Sequence, residues 1–166
     1  MRPEVLILGG TTEGYALATA LADHPRFAPY SSLAGRTSSP RLPRGDSRIG
    51  GFGGAEGLAA WLAQRGTRAV IDATHPFASR MGWNAATACA QLGLPLLRLE
   101  RPSWCPGPGD CWNQVADWEA AVRCLAQQRA QRVLLALGRQ DLAPFAALKG
   151  VWFLIRSVEP PEPMPP

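Results

Sequence analysis

An apolar segment that leads directly into a glycine-rich turn opens the chain, and it constrains the fold more than any other feature. The segment reads VLILGGTTEG over residues 5–14. Dinucleotide-binding turns have the pattern G-x-G-x-x-G between a strand and a helix. Gly9 and Gly14 fit the outer positions, whereas Thr11 takes the middle position and the second glycine is Gly10. Backbone N–H groups and the dipole of the following helix favour a phosphate, and the hydroxyl of Thr11 could add a donor. We therefore predict a dinucleotide site; a tight turn capped by threonine is the alternative.

Strand-like and helix-like segments alternate over the first hundred residues. We predict strands at 5–8, 28–33 and 69–72 and in LPLLRLE (94–100), with helices at 13–22, 55–64 and 78–92. A long Pro-, Gly- and Ser-rich loop is expected between the second strand and the second helix. This βαβαβαβ order predicts an α/β fold with a parallel sheet and helices on both faces, because parallel strands require right-handed crossover connections.

The composition changes after Glu100, where RPSWCPGPGD is typical of a linker. We predict an N-terminal Rossmann-like lobe at 1–100, a linker at 101–111 and the start of a second lobe at 112–166. The second lobe is expected to contain a short strand in CWNQVA, a helix at 117–128, a buried strand in RVLLALG, a short helix in QDLAPFAAL and a strand in VWFLIRSV. The final EPPEPMPP suits neither a helix nor a central strand, so this lobe is predicted to be incomplete.

The residues after the second strand predict which dinucleotide binds. For a cofactor with a free 2′-hydroxyl, an aspartate or glutamate is expected there, whereas residues 31–37 read SSLAGRT. The hydroxyl of Ser32 and the guanidinium of Arg36 suit a 2′-phosphate. The sequence therefore favours NADPH over NADH.

Arginine supplies almost all of the positive charge, since the chain has a single lysine and a net charge of +4. Arg36, Arg41, Arg44 and Arg48 fall in one short stretch. Their planar guanidinium groups suit carboxylates or phosphates, although a merely solvated loop is an equal alternative. Nucleic acid is disfavoured, because no aromatic residues are interleaved with the arginines and no recognition motif is present.

Two further segments line the same edge and could contact ligands. GGFGG (50–54) offers a backbone that a ligand can approach closely, with Phe52 as its only large side chain. DATHPFASRM (72–81) begins at the carboxyl end of a strand, where open α/β sheets bind ligands. His75 could donate a proton or hold a carboxylate there, although a structural histidine is the commoner case.

Several classes of protein are disfavoured by what the sequence lacks. It contains no apolar stretch long enough for a transmembrane helix and no signal peptide, so we expect a soluble, cytoplasmic protein without a membrane partner. The four cysteines and two histidines lack the spacing of a zinc site, and no metal is expected. No hydrolase nucleophile motif, P-loop or Tyr-x-x-x-Lys pair occurs.

Six segments together resemble one enzyme family. In order they are LILGGTTEG, SLAGRT, RIGGFGGAEGLAAWL, VIDATHPFASRM, PLLRLERPSW and GRQDLAPF. They are similar to the precorrin-6A reductases of cobalamin biosynthesis over nearly the whole chain. The resemblance implies two Rossmann-like lobes with the ligands in the cleft between them. It also implies that NADPH reduces one double bond of the polycarboxylate macrocycle precorrin-6A to give precorrin-6B. A cobalt-precorrin-6A branch is associated with NADH.

Carried onto this sequence, the resemblance implies a set of site residues. His75 is the candidate for proton delivery or substrate orientation, with water as the alternative. The cofactor would contact Gly9, Gly10, Thr11, Glu13, Ser32, Gly35, Arg36 and Thr37. The tetrapyrrole would contact Gly51, Phe52, Gly53, Thr74, Pro76 and Phe77.

The resemblance also implies a longer protein, since family members continue with α/β sequence that completes the second lobe. A catalytically silent ligand-binding fragment is therefore an alternative to an active reductase, and an unrelated NADP-binding sensor is a third hypothesis. Self-association or a complementing polypeptide could restore what the chain lacks.

Overall fold

The chain divides into two units, Met1–Ser103 and Trp104–Pro166. The computed structural model describes residues 2–35, 40–138 and 141–161. Arg36 and Thr37, two of the predicted cofactor contacts, lie outside the described residues. Each unit is an α/β structure with a parallel sheet, so the predicted fold class is confirmed.

In the described part of the first unit, strands and helices alternate as the sequence predicted. The strands are β1 (Glu4–Leu8), β2 (Ala28–Leu33), β3 (Asp46–Ile49), β4 (Ala69–Asp72) and β5 (Leu96–Arg98), and the helices are α1 (Thr12–Ala22), α2 (Gly54–Arg65) and α3 (Ser79–Leu92). All strand pairs are parallel, and the sheet order is β3-β2-β1-β4-β5. The order reverses direction between β1 and β4. Ligands bind at this kind of switch point in open α/β sheets.

The structure contains a strand, β3, where the sequence predicted a continuous loop after β2. Its residues read DSRI, which lacks the apolar pattern of a buried strand. It forms at the sheet edge because its backbone pairs with β2, from Tyr30↔Asp46 to Leu33↔Ile49. An edge strand with polar side chains needs only one neighbouring strand, and hydropathy alone does not reveal it.

The core of the first unit lies on both faces of β1. Leu6 and Leu8 pack with Leu58 and Leu62 of α2 on one face, and all four are almost completely buried. Residues of α3 complete this cluster. On the other face Ile7 packs with α1. The continuous apolar run of β1 is therefore explained by helices on both sides of the sheet.

The second unit contains less regular structure in its described part. Its elements are α4 (Trp118–Gln127), β6 (Arg132–Leu135), a 3₁₀ helix (Ala143–Ala147) and β7 (Trp152–Ile155). β6 and β7 pair in parallel, and one face of this sheet packs on a core centred on Leu135, Leu142 and Phe145. Two corrections follow. The predicted strand in CWNQVA is absent, since residues 111–115 have no regular structure. The strand in RVLLALG is not fully buried, because Leu134 is 60% exposed.

None of the helices in the described ranges has the length and apolarity needed to cross a bilayer.

Candidate functional site

The turns after β1, β2 and β4 meet at the carboxyl edge of the first unit's sheet. Backbone bonds hold them together: Gly9 N–H donates to Ser32 O (2.9 Å), and Ala73 N–H donates to Leu8 O (2.9 Å). A small crevice opens between the turn after β1 and the turn after β2. Its lining includes Gly10, Gly14 and Tyr15. The candidate site is therefore at the switch point of the sheet.

Gly10 and Gly14, in the turn after β1, have different structural roles. Gly10 has a φ of +111°, and a Cβ built on it would meet nothing within 4 Å. Its backbone is therefore open to a ligand. A Cβ on Gly14 would lie 3.2 Å from Gly9 Cα and 3.5 Å from Ala73 Cβ. Gly14 thus lets α1 approach the turn closely, as the last glycine of a dinucleotide fingerprint does.

The hydroxyl of Thr11 is already used within the protein. It accepts a hydrogen bond from Gly14 N–H (3.1 Å) and donates to Ala73 O (2.7 Å), and the residue is 8% exposed. Thr11 therefore caps α1 and joins the β1 turn to the segment after β4. The expected extra hydroxyl donor from Thr11 is not free, so a phosphate here would meet backbone N–H groups of the turn and of the first turn of α1.

Glu13 places a carboxylate in the first turn of α1, next to the open glycine turn. A hydrogen bond from its own backbone N–H lowers the pKa of Glu13, and Arg101 lowers it further. Arg101 Nη2 lies 3.1 Å from Glu13 Oε2. This ion pair offsets the negative charge of Glu13 close to where a phosphate would bind. Sequence reasoning missed Arg101, which falls in the predicted linker 88 residues away.

Arg48 on β3 connects the end of β2 to the glycine-rich segment 50–53. Its Nη1 donates to Ser32 Oγ (3.3 Å) and Gly50 O (3.0 Å), and its Nη2 donates to Gly51 O (2.9 Å). Its guanidinium lies 4.1 Å from the centroid of the Phe52 ring. The structure thus groups Gly51 and Phe52 with Ser32, at the β2–β3 side of the sheet.

The segment after β2 folds back over β3. Gly50 N–H donates to Leu33 O (2.9 Å). Gly35 has a φ of +70°, and a Cβ on it would lie only 2.9 Å from Ile49 Cγ2. Glycine is therefore required at position 35 by conformation and by space, before any ligand is considered.

The other two described arginines of the cluster have partners within the protein. Arg44 pairs with Asp23 at 2.8 Å. The carbonyl of Arg41 accepts a bond from the Tyr15 hydroxyl (2.6 Å), and its guanidinium lies 5.6 Å from the Tyr15 ring centroid. Among these three, Arg48 is the one whose guanidinium is described as bonding Ser32 and the glycine-rich segment 50–53.

A buried carboxylate holds the segment after β4. Asp72 is 2% exposed and accepts bonds from Thr74 N–H (3.0 Å) and Thr74 Oγ1 (2.7 Å). Its other oxygen pairs with Arg98 Nη1 at 2.6 Å. Hydrogen bonding to Glu100, and then the charge of Asp72, raise the pKa of Arg98 above its usual value. Sequence reasoning did not single out Asp72 or Arg98. The sequence did contain a signal for this pair, because β4 and β5 are neighbouring strands and each ends on a charged residue.

His75 and Phe77 project from the segment that Asp72 fixes. His75 Nδ1 accepts a bond from Phe77 N–H (3.2 Å), so a neutral imidazole carries its proton on Nε2. The two rings make an edge contact with centroids 5.1 Å apart. His75 is exposed, and Phe77 is 88% exposed. An imidazole N–H and a flat apolar side chain are thus both open to a ligand.

The predicted site residues therefore fall into two groups. Gly9, Gly10, Thr11 and Thr74 meet around the switch point, and His75 to Phe77 extend from it beyond β4. The predicted tetrapyrrole contacts Gly51, Phe52 and Gly53 follow β3, two strands further along the sheet order from β1. No group of three or more metal-ligating side chains occurs among the described residues.

Comparison with known proteins identifies the family. The profile of a family described as "Precorrin-6x reductase CbiJ/CobK" matches residues 4–166. The chain belongs to this family. A relative named precorrin-6A reductase from Rhodococcus erythropolis is 51% identical over 98% of this chain. A relative named cobalt-precorrin-6A reductase from Salmonella typhimurium is 32% identical over 87% of this chain and 55% of its own length.

A solved structure titled "CobK precorrin-6A reductase" has the same fold as this member of the precorrin-6x reductase family. It superimposes with a TM-score of 0.91 at 48% identity, over 98% of this chain and 64% of that chain. The Rhodococcus relative is likewise covered over 65% of its length. The chain thus spans just under two thirds of these relatives.

Proposed function

We propose that this chain carries the cofactor-binding part, and part of the substrate site, of an NADPH-dependent precorrin-6A reductase in cobalamin biosynthesis. The observation that carries the proposal is the hydrogen bond between Thr11 Oγ1 and Ala73 O, 2.7 Å long. It holds the open glycine turn and the segment with His75 together at the switch point of the sheet. The names of the relatives support the substrate class, because the identity is 51% with a precorrin-6A reductase.

The open turn fits the pyrophosphate of a nicotinamide dinucleotide. Gly10 and Thr11 would offer backbone N–H groups there, beside Gly9, whose own N–H bonds Ser32 O, and with the N-terminus of α1 behind them. Ser32, Gly35, Arg36 and Thr37 would surround the adenosine ribose, and Glu13 would keep Arg101 beside the turn. When bound, the reduced nicotinamide supplies the hydride. The missing acidic residue after β2 favours NADPH, and NADH is the alternative.

The segment after β4 is proposed to face the macrocycle. Phe77 offers an exposed ring that can pack on a flat, largely apolar face, and Thr74 and Pro76 shape the segment around it. Reduction of a double bond also requires a proton at the carbon next to the hydride acceptor. The Nε2–H of His75 is the proposed donor, or it orients a carboxylate of the substrate. Gly51, Phe52 and Gly53 complete the proposed substrate contacts.

A second candidate follows from the coverage of about two thirds of the relatives. The chain would then bind ligands without turnover and would need self-association or a complementing polypeptide for activity. The cobalt-precorrin branch is less favoured, because identity falls to 32% with the Salmonella relative.

The first experiment titrates the purified chain with NADPH and with NADH, using quenching of the six tryptophans as the signal. We expect micromolar affinity and a preference for NADPH. Precorrin-6A is then added, and NADPH oxidation is followed by absorbance. Binding with turnover supports the reductase, whereas binding without turnover supports the silent fragment. A folded chain that binds neither nucleotide contradicts the proposal.

The role of His75 needs a separate comparison. If it donates the proton, His75→Ala lowers kcat on the order of 10²–10⁴-fold and alters the pH profile, while NADPH affinity stays unchanged. A variant with normal turnover and an unaltered pH profile would exclude this role and leave water as the donor.

A further inference from the structure

Arg48 stands in register with the two strands that carry the proposed cofactor site. Leu8 of β1 pairs with Ser32 of β2, and Ser32 pairs with Arg48 of β3. The three residues lie side by side near the carboxyl edge of the sheet. In dinucleotide-binding folds the end of the second strand faces the adenosine ribose. Arg48 is therefore one strand away from that position, and it touches Ser32 directly.

The charge of Arg48 has no carboxylate partner among the described residues. Arg44, Arg65, Arg98 and Arg101 each form an ion pair with an aspartate or glutamate. Arg48 is half-buried, yet the partners described for it are a hydroxyl, two carbonyl oxygens and two aromatic rings, those of Phe52 and Trp61. A partly desolvated cation surrounded by neutral groups favours an anion supplied from outside the chain.

The guanidinium of Arg48 has a fixed orientation, and only some of its N–H donors have partners within the described ranges. Both protons of Nη1 and one of Nη2 are used by Ser32, Gly50 and Gly51. The Nε–H and the second Nη2–H have no partner within the described ranges. Stacking on Phe52 at 4.1 Å holds the plane of the group. A preorganised guanidinium with two donors that lack a partner in the described part of the chain suits a phosphate better than a ribose hydroxyl.

We propose that Arg48 is a specificity-determining residue that contacts the 2′-phosphate of the adenosine and thereby selects NADPH over NADH. This inference rests on the proposed use of a nicotinamide dinucleotide. Arg48 also binds the carbonyl groups of Gly50 and Gly51, and these two bonds then hold its guanidinium at the adenosine end of the cofactor. The sequence had assigned Gly51 and Phe52 to the macrocycle and the 2′-phosphate to Arg36.

The test uses two nucleotides that differ only in the phosphate at issue, adenosine 2′,5′-bisphosphate and adenosine 5′-monophosphate, and then NADPH and NADH. Affinities are measured by calorimetry for the whole chain and for Arg48→Gln, Arg48→Lys and Arg68→Gln. Arg68→Gln is the matched control, because it removes the same charge just before β4, at the opposite edge of the sheet.

We expect Arg48→Gln to weaken the 2′-phosphorylated ligands by about ten- to a hundredfold, the usual range for a hydrogen bond to a charged group. The affinities for adenosine 5′-monophosphate and NADH should change by less than about threefold. Arg48→Lys keeps the charge but not the fork, so it should lose part of the preference. Arg68→Gln should behave as the unsubstituted chain.

Each contrary result has a distinct meaning. An equal loss of affinity for ligands with and without the 2′-phosphate would mean that Arg48 only holds the glycine-rich segment in place, and it would overturn the inference. Unchanged affinities would overturn it too. If Arg48→Gln does not fold by circular dichroism, Arg48→Lys decides, and an undiminished preference there contradicts the inference. An unsubstituted chain that binds none of the nucleotides contradicts the proposed function itself.

Discussion

The first and second units use similar apolar strands but surround them differently. In β1 of the first unit, Val5 to Leu8 are all buried, since helices pack on both faces of the sheet. In β6 and β7 of the second unit, alternate residues are exposed, among them Leu134, Trp152 and Leu154. An apolar run therefore indicates a strand, but only its neighbours decide whether one face or both are buried.

The difference predicts where the stability of the chain lies. The first unit has large clusters of fully buried side chains, whereas the core of the second centres on three buried residues in its described part. We expect the two units to differ in resistance to local unfolding, with the amides of β1 exchanging much more slowly than those of β6.

The largest effect is expected from one leucine substitution made in each unit. Leu62 is 0% exposed, and Leu62→Ala should lower the free energy of unfolding by about 3 kcal/mol, through lost burial and an unfilled cavity. Leu134 is 60% exposed, and Leu134→Ala should change it by less than about 0.5 kcal/mol. Urea unfolding followed by circular dichroism measures both. Equal losses would show that the open face of β6 is covered in solution.

A smaller effect is expected from the buried carboxylate of the first unit. Asp72→Asn keeps the size of the side chain but turns an amide toward Thr74 or Arg98, where an acceptor is needed. We expect a loss of about 2 kcal/mol, below the usual cost of breaking a buried ion pair, because Arg98 is 36% exposed and keeps Glu100.

The matched change in the second unit is Asp110→Asn. Asp110 is exposed and accepts one bond, from Gly107 N–H at 2.8 Å. The expected loss is about 0.5 kcal/mol or less. Thermal unfolding of both variants provides the measurement. A loss at Asp110 as large as at Asp72 would mean that burial is not what distinguishes the two carboxylates.

The same contrast explains how much could be predicted from the sequence. The α/β class, the parallel sheets and the helices of the first unit follow from local apolar patterns and from the glycines after β1. β3 was missed because DSRI becomes a strand only through its pairing with β2. The exposure of Leu134 was missed because an apolar run does not reveal which face lacks a helix.

Prediction of the site was limited by contacts between residues far apart in the chain. Thr11 and Ala73 are 62 residues apart, Asp72 and Arg98 are 26 apart, and Ser32 and Arg48 are 16 apart. Each pair meets because neighbouring strands end at the same edge of the sheet. The sequence could indicate the edge, but not which side chains there already bind each other. The ligand contacts assigned to the individual residues therefore stay predictions.

Helix capping offers a third comparison, with an expected effect close to that of Asp72→Asn. Thr11 caps α1 through Gly14 N–H and is also bonded to Ala73 O, whereas Asp117 caps α4 only through Ala120 N–H at 2.7 Å and is exposed. Loss of a cap costs about 1 kcal/mol, and loss of the second, buried bond adds about as much. Thr11→Ala should therefore cost roughly twice as much as Asp117→Ala in unfolding free energy. Thr11→Ser, which keeps the hydroxyl, is the control and should restore most of the loss.

The smallest effect concerns the pH dependence contributed by Glu13. Its pKa in the folded chain is lowered from 4.5, chiefly by its own backbone N–H and further by Arg101. A lowered folded pKa means that the stabilisation is fully present above about pH 4.5 and is lost as the pH falls through the folded value. Glu13→Gln should therefore be less stable than the unsubstituted chain at pH 7, and the difference should shrink toward pH 3. Hydrogen exchange of the α1 amides, followed at each pH without nucleotide, measures this difference in stability within the first unit. Added salt should reduce the part due to Arg101, because the pair is partly exposed. A difference that stayed constant from pH 7 to pH 3 would show that the substitution acts through packing and not through the charge of Glu13.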